Sequence, residues 1–227
     1  MATIPVIHFS DVLCVWAYVG QVRVDELTAH FSDQVELDVR FCEVFGNAAS
    51  KLERQWAERG GAAGYSAHVQ EIVADFQNAT VHPEIWQRNA PASSMPCHLF
   101  LCAVRLLADD KEISAHDRSR LVWRASRGLR LAFFRDLVDI SRRDEQFQLA
   151  EELGLSVADL EGHLDSGRAH AALSDDLALA REMGVRVSPT ISLNEGRQML
   201  TGNVGYRVLE ANVAEFLSTP TVQHSWC

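Results

Sequence analysis

No two of the five cysteines stand as Cys-X-X-Cys, so the chain has no dithiol that could close on itself at a helix start. Five cysteines at uneven spacing make no disulfide framework, and in a reducing compartment they are expected as free thiols. The nine histidines include no HExxH stretch and no paired Cys/His spacing, which argues against a metal site. Positive charge is short too: 21 Lys and Arg stand against 31 Asp and Glu, a formal net charge of −10. That balance argues against nucleic acid or an anionic membrane as the main partner. No run approaches the ~18 apolar residues of a membrane span. MATIP leads straight into an apolar stretch with no basic segment, apolar core or cleavage site. A cytoplasmic location is the expectation from that start. The 227 residues, 47% hydrophobic and 23% charged, suit one domain, or one domain carrying a large insertion.

What is present is organised around IPVIHFSDVLCVWAYVG, residues 4–20. Its apolar, branched opening reads as a short buried strand. Ser10 and Asp11 break the run, and from Leu13 onward the pattern is helical. Cys14 therefore sits where a strand hands over to the first turn of a helix. Unpaired amides and the helix dipole stabilise an anion at such a place. A thiol there is expected to ionise below its free value of about 8.5. A small buried cysteine in an ordinary strand–helix turn is the competing reading.

The segment VELDVRF alternates strictly and forms a second strand, with Val35, Leu37, Val39 and Phe41 on one face. Strand, helix, strand in this order predicts a parallel pair, with Cys14 and Cys42 at one edge of the sheet. Residues 47–183 turn mainly helical. Helices are expected over 51–59 and 66–76 around a loose GGAAG, and a long ordered loop over 78–94. Ser93 or Ser94 is placed to cap the next helix, and a further one spans 114–140 with a break at Gly128. Short helices follow near Ser141 and Ser156, and a last one ends at Gly184. The VRVSPT segment then opens a hairpin through the turn Asn194-Glu195-Gly196, and residues 206–217 make an amphipathic helix.

Strand, short loop, Cys14-Val15-Trp16-Ala17-Tyr18 and helix resemble the active-site segment of the DsbA family of thioredoxin-fold oxidoreductases, nearest its FrnE-like branch. Members of that branch usually read Cys-Pro-Trp-Cys-Tyr, so Ala17 stands in place of the second cysteine. Ala17-Tyr18 is also similar to the branch of hydroxychromene-carboxylate isomerases and kappa-class glutathione transferases. The resemblance covers nearly the whole chain. It implies an α/β thioredoxin fold built from residues 1–46 and 184–227, with an all-helical insertion over 47–183. Val187-Ser188-Pro189-Thr190 matches the family's loop in which a cis proline faces the reactive cysteine.

The expected activity is a thiol–disulfide oxidoreductase with one active-site cysteine, Cys14. Trp16, Tyr18, Ser188 and Pro189 are the expected substrate-binding residues. The missing sulfur at Ala17 calls for an outside resolving thiol, such as glutathione acting as co-substrate, or an internal one. Cys42 is the internal candidate; as a strand residue it reads more readily as packing. Cys97 is a second thiol in the helical region, Cys102 reads as core and Cys227 as tail. No tightly bound cofactor and no metal are expected. The partner is a thiol or disulfide, protein or small molecule, and a homodimer stays open. The alternatives are a glutathione-dependent isomerase or transferase of the 2-hydroxychromene-2-carboxylate type, and a thioredoxin-like binding protein without turnover. For the isomerase reading, Gly202 and Asn203 match the segment that holds glutathione in that branch, while its Asp is absent and Arg207 is displaced.

Overall fold

The computed structural model describes residues 3–218, so Cys227 lies outside the described residues. The first two apolar runs form β1 (Ile4–Ser10) and β2 (Val35–Phe41). They pair in parallel from Ile4↔Val35 to Ser10↔Phe41, with α1 (Val15–His30) as the crossover. β3 (Thr190–Leu193) adds antiparallel on the other side of β1, and β4 (Gln198–Thr201) completes the order β2-β1-β3-β4. Between β2 and β3 run α2 (Ala48–Gln55), a 3-10 turn (Ala57–Arg59), α3 (Gly61–Ala74), α4 (Met95–Asp110), α5 (Ala115–Phe134), α6 (Arg143–Glu152), α7 (Val157–Asp165) and α8 (Arg168–Glu182). α9 (Tyr206–Ser218) follows the hairpin and packs on α1 and β1. This is the thioredoxin order with a helical insertion.

Strand alternation decides what the sheet touches. Val35, Leu37, Val39 and Phe41 are all buried on β2. Phe41 stacks on His98 of α4 at 5.0 Å, and His8, facing the same way from β1, meets Trp123 of α5 edge-on at 5.1 Å. Phe9 and Cys42 face the opposite side, against Leu179, Ala180 and Met183 of α8 and its end. A buried ion network ties the insertion to β2. Arg105 of α4 grips Asp176 of α8 at 2.9 and 3.0 Å and donates to the Val39 carbonyl at 3.1 Å. Arg40 reaches the same carboxylate at 2.8 Å and Asp38 at 2.7 Å.

The structure departs from the sequence expectations where glycines allow close contact. GGAAG is not loose: α3 begins at Gly61, and a Cβ on Gly64 would stand 1.6 Å from the Arg59 carbonyl oxygen. α5 is unbroken at Gly128 and ends at Phe134; a Cβ there would lie 2.7 Å from Leu149 of α6, so the glycine serves helix packing. In the 78–94 loop, Ile85 and Trp86 are fully buried, which is what orders it. Ser93 accepts from the Met95 amide at 3.0 Å, while Ser94 spends its hydroxyl on Asp11 at 2.8 Å and caps nothing.

Candidate active site

β1 ends at Ser10, and the next residues form a tight turn held by one carboxylate. Asp11 is fully buried; one oxygen accepts from the Leu13 amide (2.9 Å), and the other accepts from the Phe45 amide (2.7 Å) and the Ser94 hydroxyl (2.8 Å). The Asp11 carbonyl takes the Cys14 amide at 3.1 Å, so Cys14 becomes the N-cap residue of α1. Extended backbone there (φ −81°, ψ 119°) carries the thiol to the head of the helix.

That thiol is 5% exposed and donates to the Ser188 carbonyl at 3.2 Å. The Ser188–Pro189 peptide is cis, and the Ser188 hydroxyl accepts from the Asp11 amide at 2.9 Å. The two loops are therefore stitched together across the sheet edge. Burial pushes the Cys14 thiol above its ordinary range; the Ser188 hydroxyl and the Ala17 amide pull it down, and Asp11 adds to the rise. The expectation of a thiol ionising below its free value is corrected here. The helix start does what the sequence suggested, but desolvation outweighs it. In this state Cys14 is a protonated donor.

Cys14 opens onto a cleft of about 680 Å³. On one side stand Val187, Ser188, Thr201, Gly202 and Asn203; on the other, Lys51 of α2 with Trp56, Tyr65 and His68. Trp56 meets Tyr65 edge-on at 4.9 Å and His68 at 5.0 Å. Trp16 also lines the cleft, braced edge-on by Phe76 at 6.3 Å. The volume falls in the range of small-molecule sites.

Tyr18 does not shape this mouth. It is 2% exposed, stacks on Phe134 at 4.7 Å and donates to the Thr80 carbonyl at 2.7 Å, so it anchors α1 to the helical insertion. Pro189 lies buried behind Ser188, its carbonyl accepting from the Gly202 amide at 2.8 Å. Cys42 follows β2 at this edge, but its side chain packs with Phe9 and Ala180, and burial drives its thiol far up. Cys97 and Cys102 are fully buried in α4, where burial likewise raises both thiols, Cys102 to about 12. Among the described residues, Cys14 is the cysteine that faces the cleft.

Near the isomerase-type segment, Asn203 is engaged by Arg23, which also donates to the Val204 carbonyl at 3.2 Å. The Gly202 and Val204 amides are spent on Pro189 and Gly202 carbonyls. Arg207 does not line the cleft.

Sequence reasoning missed Lys51, His98 and Arg130. Nothing local marks them: each reads as an ordinary helix residue until tertiary packing brings it to the Cys14 turn. His98 accepts the Val12 amide at Nε2 (3.2 Å), and burial holds its imidazole below the usual range. Arg130 of α5 is fully buried, donates to Ser10 at 2.7 Å, and burial lowers it to about 10.

A sequence profile for the DSBA-like thioredoxin domain matches residues 5–214. ClpXP adapter protein SpxH of Bacillus licheniformis is 29% identical over 151 residues, 59% of this chain. That match takes in 48% of SpxH, so the chain spans about half the length of the curated relative it matches. Among solved structures, a Streptomyces coelicolor protein assigned as a DsbA oxidoreductase superposes with a TM-score of 0.72 at 18% identity, covering 98% of this chain and 93% of that one. The cytosolic disulfide reductase DsbM of Pseudomonas aeruginosa gives 0.63 at 16%, covering 95% and 98%. A 2-hydroxychromene-2-carboxylate isomerase gives 0.63 at 14%, covering 96% and 100%. At these identities the structural likeness is one of fold.

Proposed function

The chain belongs to the family of DSBA-like thioredoxin domains, and from that premise we propose that it is a thiol–disulfide oxidoreductase working through one reactive thiol, Cys14. The observation that carries this reading is the placement of Cys14: at the head of α1, against the Ser188 carbonyl, opening on the cleft. Ala17, one helical turn on, is 1% exposed and brings no second sulfur.

In the proposed reaction Cys14 gives up its proton and the thiolate attacks a disulfide. The substrate S–S bond breaks, one sulfur leaves as thiolate, and Cys14 holds the other as a mixed disulfide. An outside thiol then attacks the mixed disulfide and frees Cys14. Glutathione is the proposed co-substrate; Cys42, Cys97 and Cys102 do not line the cleft, which favours an external resolving thiol. DsbM, similar in fold, has been solved with glutathione. A reducing compartment such as the cytoplasm suits a chemistry that runs on free thiols. Residues 47–183 are proposed as the insertion that supplies the second wall of the cleft.

The test is incubation with oxidised glutathione followed by peptide mass spectrometry. One adduct, at Cys14 and absent from Cys14→Ser, is expected. An adduct elsewhere, or none, overturns the reading. The small-molecule-sized cleft and the Ala17-Tyr18 pair favour a second reading, a glutathione-dependent isomerase; turnover of a hydroxychromene carboxylate that requires glutathione would establish it.

A further inference from the structure

We propose that Lys51 is the counter-cation of Cys14, balancing the thiolate that attacks the substrate. The inference rests on Cys14 being the nucleophile proposed above, and it adds a residue that neither motif nor family likeness points to.

The geometry begins with α2. Asn47 caps this helix by accepting from the Ser50 amide at 3.0 Å, which sets Lys51 in its opening turns beside the Cys14 edge of the sheet. The ammonium is held at two points: it donates to the Val44 carbonyl at 3.2 Å and lies 4.4 Å from the centre of the Phe45 ring. Lys51 lines the same cleft as Cys14 and forms no ion pair among the described residues. Its Val44 bond uses one of three donors, which leaves two for the cleft. Burial pulls its ammonium below the ordinary range, and Cys14 and Asp11 are the groups that push it back up.

Other charged and titratable groups face Cys14 from every side, and each is a poorer counter-ion. Asp11, in the preceding turn, opposes ionisation, and the buried thiol of Cys42 and phenol of Tyr65 supply no positive charge. His98 is already an acceptor at Nε2 and is held neutral by burial. Arg130 is fully buried behind the turn and bonded to Ser10. It senses Cys14 ahead of Asp11 but does not line the cleft, so it backs the thiol from the core side rather than meeting it where substrate enters. His68 is packed against Trp56, and Arg186 is exposed, where solvent screens it. Lys51 alone combines a place in the cleft with partial burial and a fixed ammonium. As Cys14 leaves the Ser188 carbonyl and loses its proton to solvent, Arg130 backs the new anion from the core, and its cleft face is left unmet in a largely apolar site. Lys51 supplies the missing charge.

The experiment follows alkylation of Cys14 by neutral iodoacetamide from pH 6 to 11.5, read peptide by peptide, with the slope of rate against pH compared where a midpoint lies above that range. Lys51→Met is expected to raise the midpoint by about one unit, slowing labelling at pH 7 about tenfold, while Lys51→Arg stays near wild type. An unmoved midpoint in Lys51→Met overturns the proposal. Should that variant fail to fold, wild type decides. Going from 0.05 to 1 M salt is expected to raise the midpoint, because a half-exposed cation is screened, and a flat response overturns the proposal. Labelling needs no disulfide substrate. A shifted midpoint without a glutathione adduct would keep Lys51 and sink the oxidoreductase reading; an adduct with an unmoved midpoint would do the reverse.

Discussion

Asp11 and Asp176 are both fully buried carboxylates, and the fold treats them in opposite ways. Asp176 meets charge with charge: Arg105 grips it with two nitrogens and Arg40 with a third. Asp11 is met by amides and a hydroxyl, with His98 at 3.9 Å and no arginine in contact. Around Asp176 the charges are closed among themselves, and the network clamps α4 and α8 to β2. Around Asp11 they are not. Arg130 has Nε and Nη1 unpartnered, and His98 and His8 each leave Nδ1 without a partner. A closed network resists any change in protonation, whereas one with spare donors and acceptors tolerates a new charge. The second lies under the reactive thiol.

The largest expected effect tests the closed cluster. Asp176→Ala leaves the buried Arg105 without its carboxylate, beside an Arg40 that keeps Asp38, and should cost about 3–5 kcal/mol in urea denaturation. Cys14 labelling in the remaining folded protein should not change. If it does, the two clusters are coupled and the comparison fails.

Acid should act through the open cluster. Burial lowers His8 to about 3 from 6.5, with Arg130 adding to the effect, and His98 moves in the same direction. Below 6.5 the unfolded chain takes up protons that the folded one refuses. Stability is therefore full above pH 6.5 and falls toward pH 3 by about 1.4 kcal/mol per unit for one such imidazole. His8→Gln should flatten that slope in denaturation series at several pH values.

Asp11→Asn is expected to cost about 1.5–3 kcal/mol, since amide and hydroxyl donors lose a charged acceptor. It should also lower the midpoint of Cys14 labelling, because the Asp11 charge raises that thiol. A midpoint that moves up would show that Asp11 acts through geometry instead. The smallest effect belongs to Tyr18→Phe. Loss of its bond to Thr80 should cost about 0.5–1.5 kcal/mol and leave Cys14 labelling untouched. A change in labelling would return Tyr18 to the site.

The sequence by itself determined the thioredoxin order, because strand alternation in VELDVRF, the Ser10-Asp11 break and the hairpin after Pro189 are local patterns with local causes. It also located Cys14 at a helix start and showed that Ala17 removes the second sulfur. Tyr18 was misplaced because a tyrosine beside a turn can face either way, and the Phe134 ring that captures it lies 116 residues further on in the chain. Only the tertiary structure decided the protonation of Cys14, since burial depends on how α2, α3 and the Ser188 loop close over it. Only the tertiary structure brought Lys51 and Arg130 to the same turn. Charge acts through space, and nothing in the neighbouring sequence records which distant residues will share it.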